Sequence, residues 1–198
     1  MNKLLANRWI KVLVFLACLV PVALLAWGFH KDALGANPVE KIEHDTGDWT
    51  IYLLLITLAI TPLRKVANLP LLIRYRRMVG LFAFFYGVLH MLAYVWVDQG
   101  FDWPALWKDV LKRPYITAGV VGVTLMIPLA ATSTAWAIRK LGGRKWQMLH
   151  RLVYFSALAG VIHYYWLVKS DVRKPLLYAG ILALLMLYRA ATWMRKRA

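Results

Sequence analysis

Six apolar stretches, each close to the length of a helix that crosses a bilayer, leave this chain few other ways to fold. They run over 10–29, 49–63, 78–97, 116–138, 148–168 and 175–194, and about 20 apolar residues span the roughly 30 Å hydrocarbon layer. The longest piece between them is 30–48, so no second soluble domain fits. With 61% of residues hydrophobic and only 17% charged, a water-soluble globule is excluded, and most ordinary enzymes with it. The pattern predicts an all-α integral membrane protein, a six-helix transmembrane bundle that takes up residues 1–198 as one domain. The second stretch is short and closed by Pro62, with Thr46, Gly47 and Asp48 available to extend its outer end. The first stretch follows Lys3, Arg8 and Lys11 as a signal peptide would. Its apolar run reaches Trp27 without an A-x-A exit, so it is read as a retained helix.

A net charge of +16 raises the question of nucleic acid, but in so apolar a chain a basic excess is an orientation signal. With the amino terminus inside, 17 of the 25 lysines and arginines fall on that side, and all nine acids fall on the other. Both termini are therefore expected to be cytoplasmic, with membrane lipid and no nucleic acid as the surrounding partner. Tryptophans such as Trp9, Trp27 and Trp146 lie at or near span ends, where an amphipathic ring anchors without any chemistry. Between the third and fourth stretches, Trp103, Leu106, Trp107, Val110 and Leu111 repeat at helical spacing against Lys108, Asp109 and Lys112. That pattern predicts a short helix lying in the outer interface. Cys18 is the single cysteine, which rules out an intrachain disulfide, a C-x-x-C knuckle and covalent haem attachment through C-x-x-C-H.

No G-x-S-x-G, P-loop or G-x-G-x-x-G occurs, and no acid lies inside a predicted span. The histidines carry what chemistry remains. His30 and His44 lie in the acidic outer loop and read as solvated surface residues. His90, His150 and His163 lie within the third and fifth stretches, where an ionisable side chain is costly and suggests function. His90 is seven residues from the outer end of its span and His163 five from the end of its own, so the two share a depth. Two neutral imidazoles in apolar surroundings suit the axial positions of a b-type haem. Core hydrogen bonding is the plainer alternative. Each histidine also ends a G-x-x-H step, Gly87 to His90 and Gly160 to His163. A glycine one turn before a ligand clears the same helical face for a flat porphyrin, although glycine also serves bare helix packing.

His150 lies 13 residues before His163, which on one continuous helix is about 20 Å lower and about 140° around the axis. Three readings stand: ligand to a second haem, hydrogen-bond partner at a flavin or quinone site, or an interfacial histidine without a redox role. The cations around it, Arg77 and Arg151 among them, suit haem propionates or a flavin phosphate. The positive-inside signal alone also accounts for them.

The stretch Lys145-Trp146-Gln147-Met148-Leu149-His150-Arg151-Leu152-Val153-Tyr154, leading to His163-Tyr164-Tyr165-Trp166, resembles the ferric-reductase-like transmembrane domain family. So do Arg76-Arg77-Met78-Val79-Gly80-Leu81 and Thr57-Leu58-Ala59-Ile60-Thr61-Pro62-Leu63-Arg64. Within that family the whole chain is similar to the haem-binding membrane subunits of bacterial methionine sulfoxide reductase systems. The resemblance implies a multi-pass cytochrome b of the bacterial inner membrane, with one haem b or two. It implies electrons from the quinone pool or a cytosolic flavin reductase, with bound FMN or quinone as intermediate carriers. It further implies a periplasmic molybdenum-cofactor enzyme as acceptor, which repairs methionine sulfoxide in proteins. On this view the chain is an electron-transfer subunit and holds no catalytic residue of its own. Larger relatives carry two histidines on each of two helices, but the inner position on the third stretch is occupied here by Arg76 and Arg77.

Two other functions fit the residues. One is a ferric or quinone reductase with the same haem and another acceptor. The other, from a different class, is a small haem-free transporter, against which stands the lack of a convincing inverted repeat.

Overall fold

The computed structural model describes Leu5 and residues 7–195; Lys3, Lys196 and Arg197 of the charge count lie outside them. Every regular element among the described residues is helical. The chain forms two compact units, one through Leu106 and one from Trp107 on.

In the first unit, α1 spans Arg8–His30, capped by Asn7, whose Oδ1 accepts from the Trp9 amide at 2.9 Å. Leu13, Leu16, Val20 and Leu24 lie exposed along one side of α1, a surface that hydrocarbon and not water would cover. Pro21 sits inside this helix and has no N–H to give. One residue on, the Tyr86 hydroxyl enters the ladder, accepting from Val22 N at 3.1 Å and donating to Cys18 O at 2.7 Å. Tyr86 is fully buried there.

Helix α2 spans Pro38–Val66 and is much longer than the 49–63 expected. Its early start is chemical: Asn37 Oδ1 accepts from Glu40 N at 3.3 Å, and Pro38 opens the first turn. Pro62 does not close the helix, which continues for one more turn. The predicted 30–48 loop is therefore mostly helix. His30 ends α1 and His44 lies on α2, and both are exposed, as surface histidines should be. After a short 3-10 turn at Pro70–Leu72, α3 spans Ile73–Leu92 and passes into a π-helical segment, Ala93–Asp98. Helices α2 and α3 are the principal packed pair of this unit. They run antiparallel, since Arg76 at the start of α3 bonds Thr61 near the end of α2 at 3.4 Å.

Helix α4, Trp103–Lys112, is the short amphipathic helix the spacing predicts. Asp102 caps it through the Ala105 amide at 3.0 Å, Leu106 is buried, and Trp103, Trp107 and Leu111 are exposed.

In the second unit, α5 spans Pro114–Ala131, α6 Ala135–Leu141, α7 Gly143–Leu149, α8 Leu152–Leu167 and α9 Arg173–Met194. The fourth expected span, 116–138, is thus two helices. Thr132 and Ser133 hydroxyls turn back onto Pro128 O and Leu129 O at 2.6 and 2.7 Å, and Thr134 caps α6 through Ala137 N at 3.1 Å. The fifth, 148–168, is broken at His150 and Arg151, which leaves α8 with 16 residues, about 24 Å of helix. Helices α5 and α8 are the principal pair. A Cβ on Gly122 of α5 would stand 3.6 Å from Ala159 Cβ and 3.7 Å from Gly160 N, and Ser156 donates to Gly122 O at 2.9 Å. Gly160 therefore serves close packing of these helices.

Among the described residues, five helical stretches are long and apolar enough to cross a membrane: Arg8–His30, Pro38–Val66, Pro70–Asp98, Pro114–Ala131 and Arg173–Met194. The protein is a multi-pass, all-helical membrane protein.

Candidate haem-ligand site

Each unit holds a half-buried histidine whose Nδ1 meets a backbone carbonyl of a neighbouring helix. In the first, the His90 ring leaves α3 near its carboxy-terminal end and reaches α2, with Nδ1 2.9 Å from the carbonyl oxygen of Glu43. A carbonyl only accepts, so Nδ1 carries the proton, and in the neutral imidazole Nε2 holds the lone pair. The ring reaches the backbone because residue 47 is glycine: a Cβ there would stand 3.3 Å from both Nδ1 and Cε1 of His90. In the second unit the His163 ring leaves α8 toward the start of α5, with Nδ1 2.7 Å from Tyr115 O. A Cβ on Gly119 would stand 2.8 Å from Nδ1 and 3.1 Å from Cε1. Here too the lone pair is on Nε2. A backbone carbonyl on the second ring nitrogen fixes tautomer and ring orientation, the usual support for a metal-binding imidazole.

His150 is arranged otherwise. It lies in the turn between α7 and α8, stacked on Trp146 with centroids 3.8 Å apart, and its Nε2 is 3.0 Å from Thr132 Oγ1. The Thr132 hydroxyl proton goes to Pro128 O, so Thr132 accepts from His150 Nε2–H. Trp146 Nε1–H donates to Thr132 O at 2.9 Å and locks the same corner. His150 therefore has the opposite tautomer to His90 and His163. The helix break also removes the single continuous helix on which its 140° offset was reckoned.

Arg77 and Arg151 are both exposed. Gly87 is buried on α3 and Gly160 lies against α5. Sequence reasoning missed the seats themselves, Gly47 and Gly119 and the two carbonyls. Both glycines were visible in the sequence, but a carbonyl acceptor leaves no trace in residue identity.

By its sequence match this helical membrane protein falls in a class, the ferric-reductase-like membrane proteins. The profile described as "Ferric reductase like transmembrane component" matches residues 46–161, a stretch that runs through both units. A protein of Caulobacter vibrioides named protein-methionine-sulfoxide reductase heme-binding subunit MsrQ is 53% identical over 178 residues, 89% of this chain and 84% of that protein. Proteins of the same name are 52% identical in Bordetella parapertussis, over 95% of this chain and 92% of the relative, and 49% identical in Herminiimonas arsenicoxydans, over 96% and 88%. The chain belongs to the MsrQ family.

Proposed function

We propose that this chain is the b-type cytochrome subunit of a methionine sulfoxide reductase system in the bacterial inner membrane, with residues 1–198 acting as one haem-binding domain of six spans and cytoplasmic termini. His90 and His163 would hold haem b through their imidazoles, with Gly87 and Gly160 in its surroundings. The observation that carries this reading is the shared tautomer. In both residues Nδ1–H is tied to a backbone carbonyl and Nε2 holds the lone pair that iron needs. The relatives' name, heme-binding subunit, supports the same cofactor. Haem, when bound, supplies reversible one-electron transfer. The protein's part is to fix two ligands and keep water from them.

Electrons enter from the quinone pool or a cytosolic flavin reductase, with FMN or quinone as the carrier at the inner face. They leave to a periplasmic molybdenum-cofactor enzyme that reduces methionine sulfoxide in proteins. The exposed Arg77 and Arg151 suit an anionic group at the inner face, a propionate or flavin phosphate. For His150, of the three sequence readings, the Nε2–H donated to Thr132 and the stacked Trp146 favour a hydrogen-bonding residue over an Nε2 iron ligand.

The test is spectroscopic. Protein purified from haem-replete cells should show a dithionite-sensitive Soret band, and His90→Ala or His163→Ala should strip or severely deplete it, because iron is left one axial ligand short. Full haem and an unchanged spectrum in both single variants would overturn the assignment. Reconstitution with the molybdoenzyme, against ferric or quinone acceptors, identifies the acceptor.

A further inference from the structure

We infer that the chain carries one histidine-seating device twice, and that Gly47 and Gly119 are positioning residues for the two imidazoles; the inference rests on the haem reading above. The first copy is built by the antiparallel pair α2 and α3, the second by α5 and α8. In each, a backbone carbonyl near the start of the first helix accepts from histidine Nδ1, at Glu43 and at Tyr115. The glycine stands four residues later in each, Gly47 and Gly119. The histidine follows its carbonyl by 47 residues in one copy and 48 in the other. In each the histidine ends a G-x-x-H step, from Gly87 and from Gly160.

The spacing of four has a physical cause. In a helix the carbonyl of residue i points along the axis toward residue i+4, and side chains four apart stack on one face. A ring coming in from a neighbouring helix to reach carbonyl i therefore has to pass over the Cα of residue i+4. Any Cβ there stands in its way. The geometry agrees: a Cβ at 47 would stand 3.3 Å from His90, and one at 119 would stand 2.8 Å from His163. Two other helical glycines of the second unit, Gly122 and Gly180, show no such demand. Gly122 would meet only ordinary contacts from 3.6 Å and Gly180 nothing within 4 Å. The two seats also differ in side-chain character, Glu43 in one and Tyr115 in the other. The device thus uses backbone and the absence of a side chain, which is why different sequences build it.

The test uses the full-length protein in detergent, with Gly47→Ala and Gly119→Ala as probes and Gly122→Ala and Gly180→Ala as controls. In haem-free protein, nitrogen chemical shifts of labelled histidine should report Nδ1–H for His90 and His163, and each glycine variant should lose that tautomer preference at its own histidine only. In loaded protein, Gly119→Ala should lower haem affinity roughly 10-fold or more, the scale of lost outer-shell support. Gly47→Ala, with the larger clearance, should keep haem but shift its low-spin electron-paramagnetic-resonance signal. Both controls should match wild type. If Gly119→Ala fails to fold, Gly47→Ala decides. A wild-type tautomer and spectrum in Gly47→Ala and in any folded Gly119→Ala would overturn the inference, while haem loss in His90→Ala and His163→Ala would leave the haem reading standing. Conversely, altered tautomers with full haem in the histidine variants would keep the seats and overturn the haem reading.

Discussion

Replacing Tyr86 by Phe removes one oxygen from the middle of the first unit and leaves its ring volume in place. That oxygen accepts from Val22 N at 3.1 Å and donates to Cys18 O at 2.7 Å, bridging the two ends of a helical step in α1 next to Pro21. The residue is fully buried, so water cannot take over either bond. Membrane side-chain hydrogen bonds average about 0.6 kcal/mol and reach about 1.7. Two of them lost together give roughly 1–3 kcal/mol, a rise of about five- to 150-fold in the unfolding constant. The lower end applies if α1 straightens and Val22 bonds Cys18 directly; the upper end applies if Pro21 holds the step open. The assay is reversible unfolding of detergent-solubilised protein in sodium dodecyl sulfate, with Phe85→Leu as a control that removes no hydrogen bond. Tyr86 is one turn before His90 on the same face of α3, so the haem spectrum is worth recording alongside. A Tyr86→Phe protein within about 0.3 kcal/mol of wild type, inside the usual error of such differences, would refute the claim that the hydroxyl completes the α1 ladder.

Four further outcomes are expected. Glu43→Gln should leave haem content and the low-spin spectrum unchanged, because His90 uses the carbonyl of residue 43 and not its carboxylate; depletion comparable to His90→Ala would show otherwise. Asn37→Ala should destabilise the start of α2 by about 1 kcal/mol through loss of the cap, seen as faster amide exchange over residues 38–46 with residues near 60 unaffected. Ser156→Ala should cost about 1 kcal/mol, since a buried hydroxyl is lost from Gly122 O at the α5–α8 contact; unfolding midpoints check it. Thr132→Val should remove the acceptor of His150 Nε2–H and shift the His150 tautomer in nitrogen spectra while leaving those of His90 and His163 alone.

The apolar runs made the helical membrane fold legible, because hydrocarbon demands internally bonded backbone whatever the details. The ends of the helices were less legible. Pro62 reads as a stop, yet α2 passes through it, and the 116–138 stretch reads as continuous, yet it breaks at Thr132. In both places hydrogen bonds and packing outweighed the local preference. The break at His150 has the same origin: the imidazole is held by Thr132 and Trp146, which lie 18 and four residues earlier in the chain.

Residue type and depth in the sequence were enough to single out His90 and His163, since an imidazole inside an apolar stretch is conspicuous wherever it points. Tertiary structure alone decided which ring nitrogen bears the proton. That depends on a backbone oxygen 47 or 48 residues away and on a glycine thin enough to let the ring reach it. Every residue owns a carbonyl, so no amino-acid letter can mark the one that is used. Only the packing of α2 on α3, and of α5 on α8, brings acceptor and ring together.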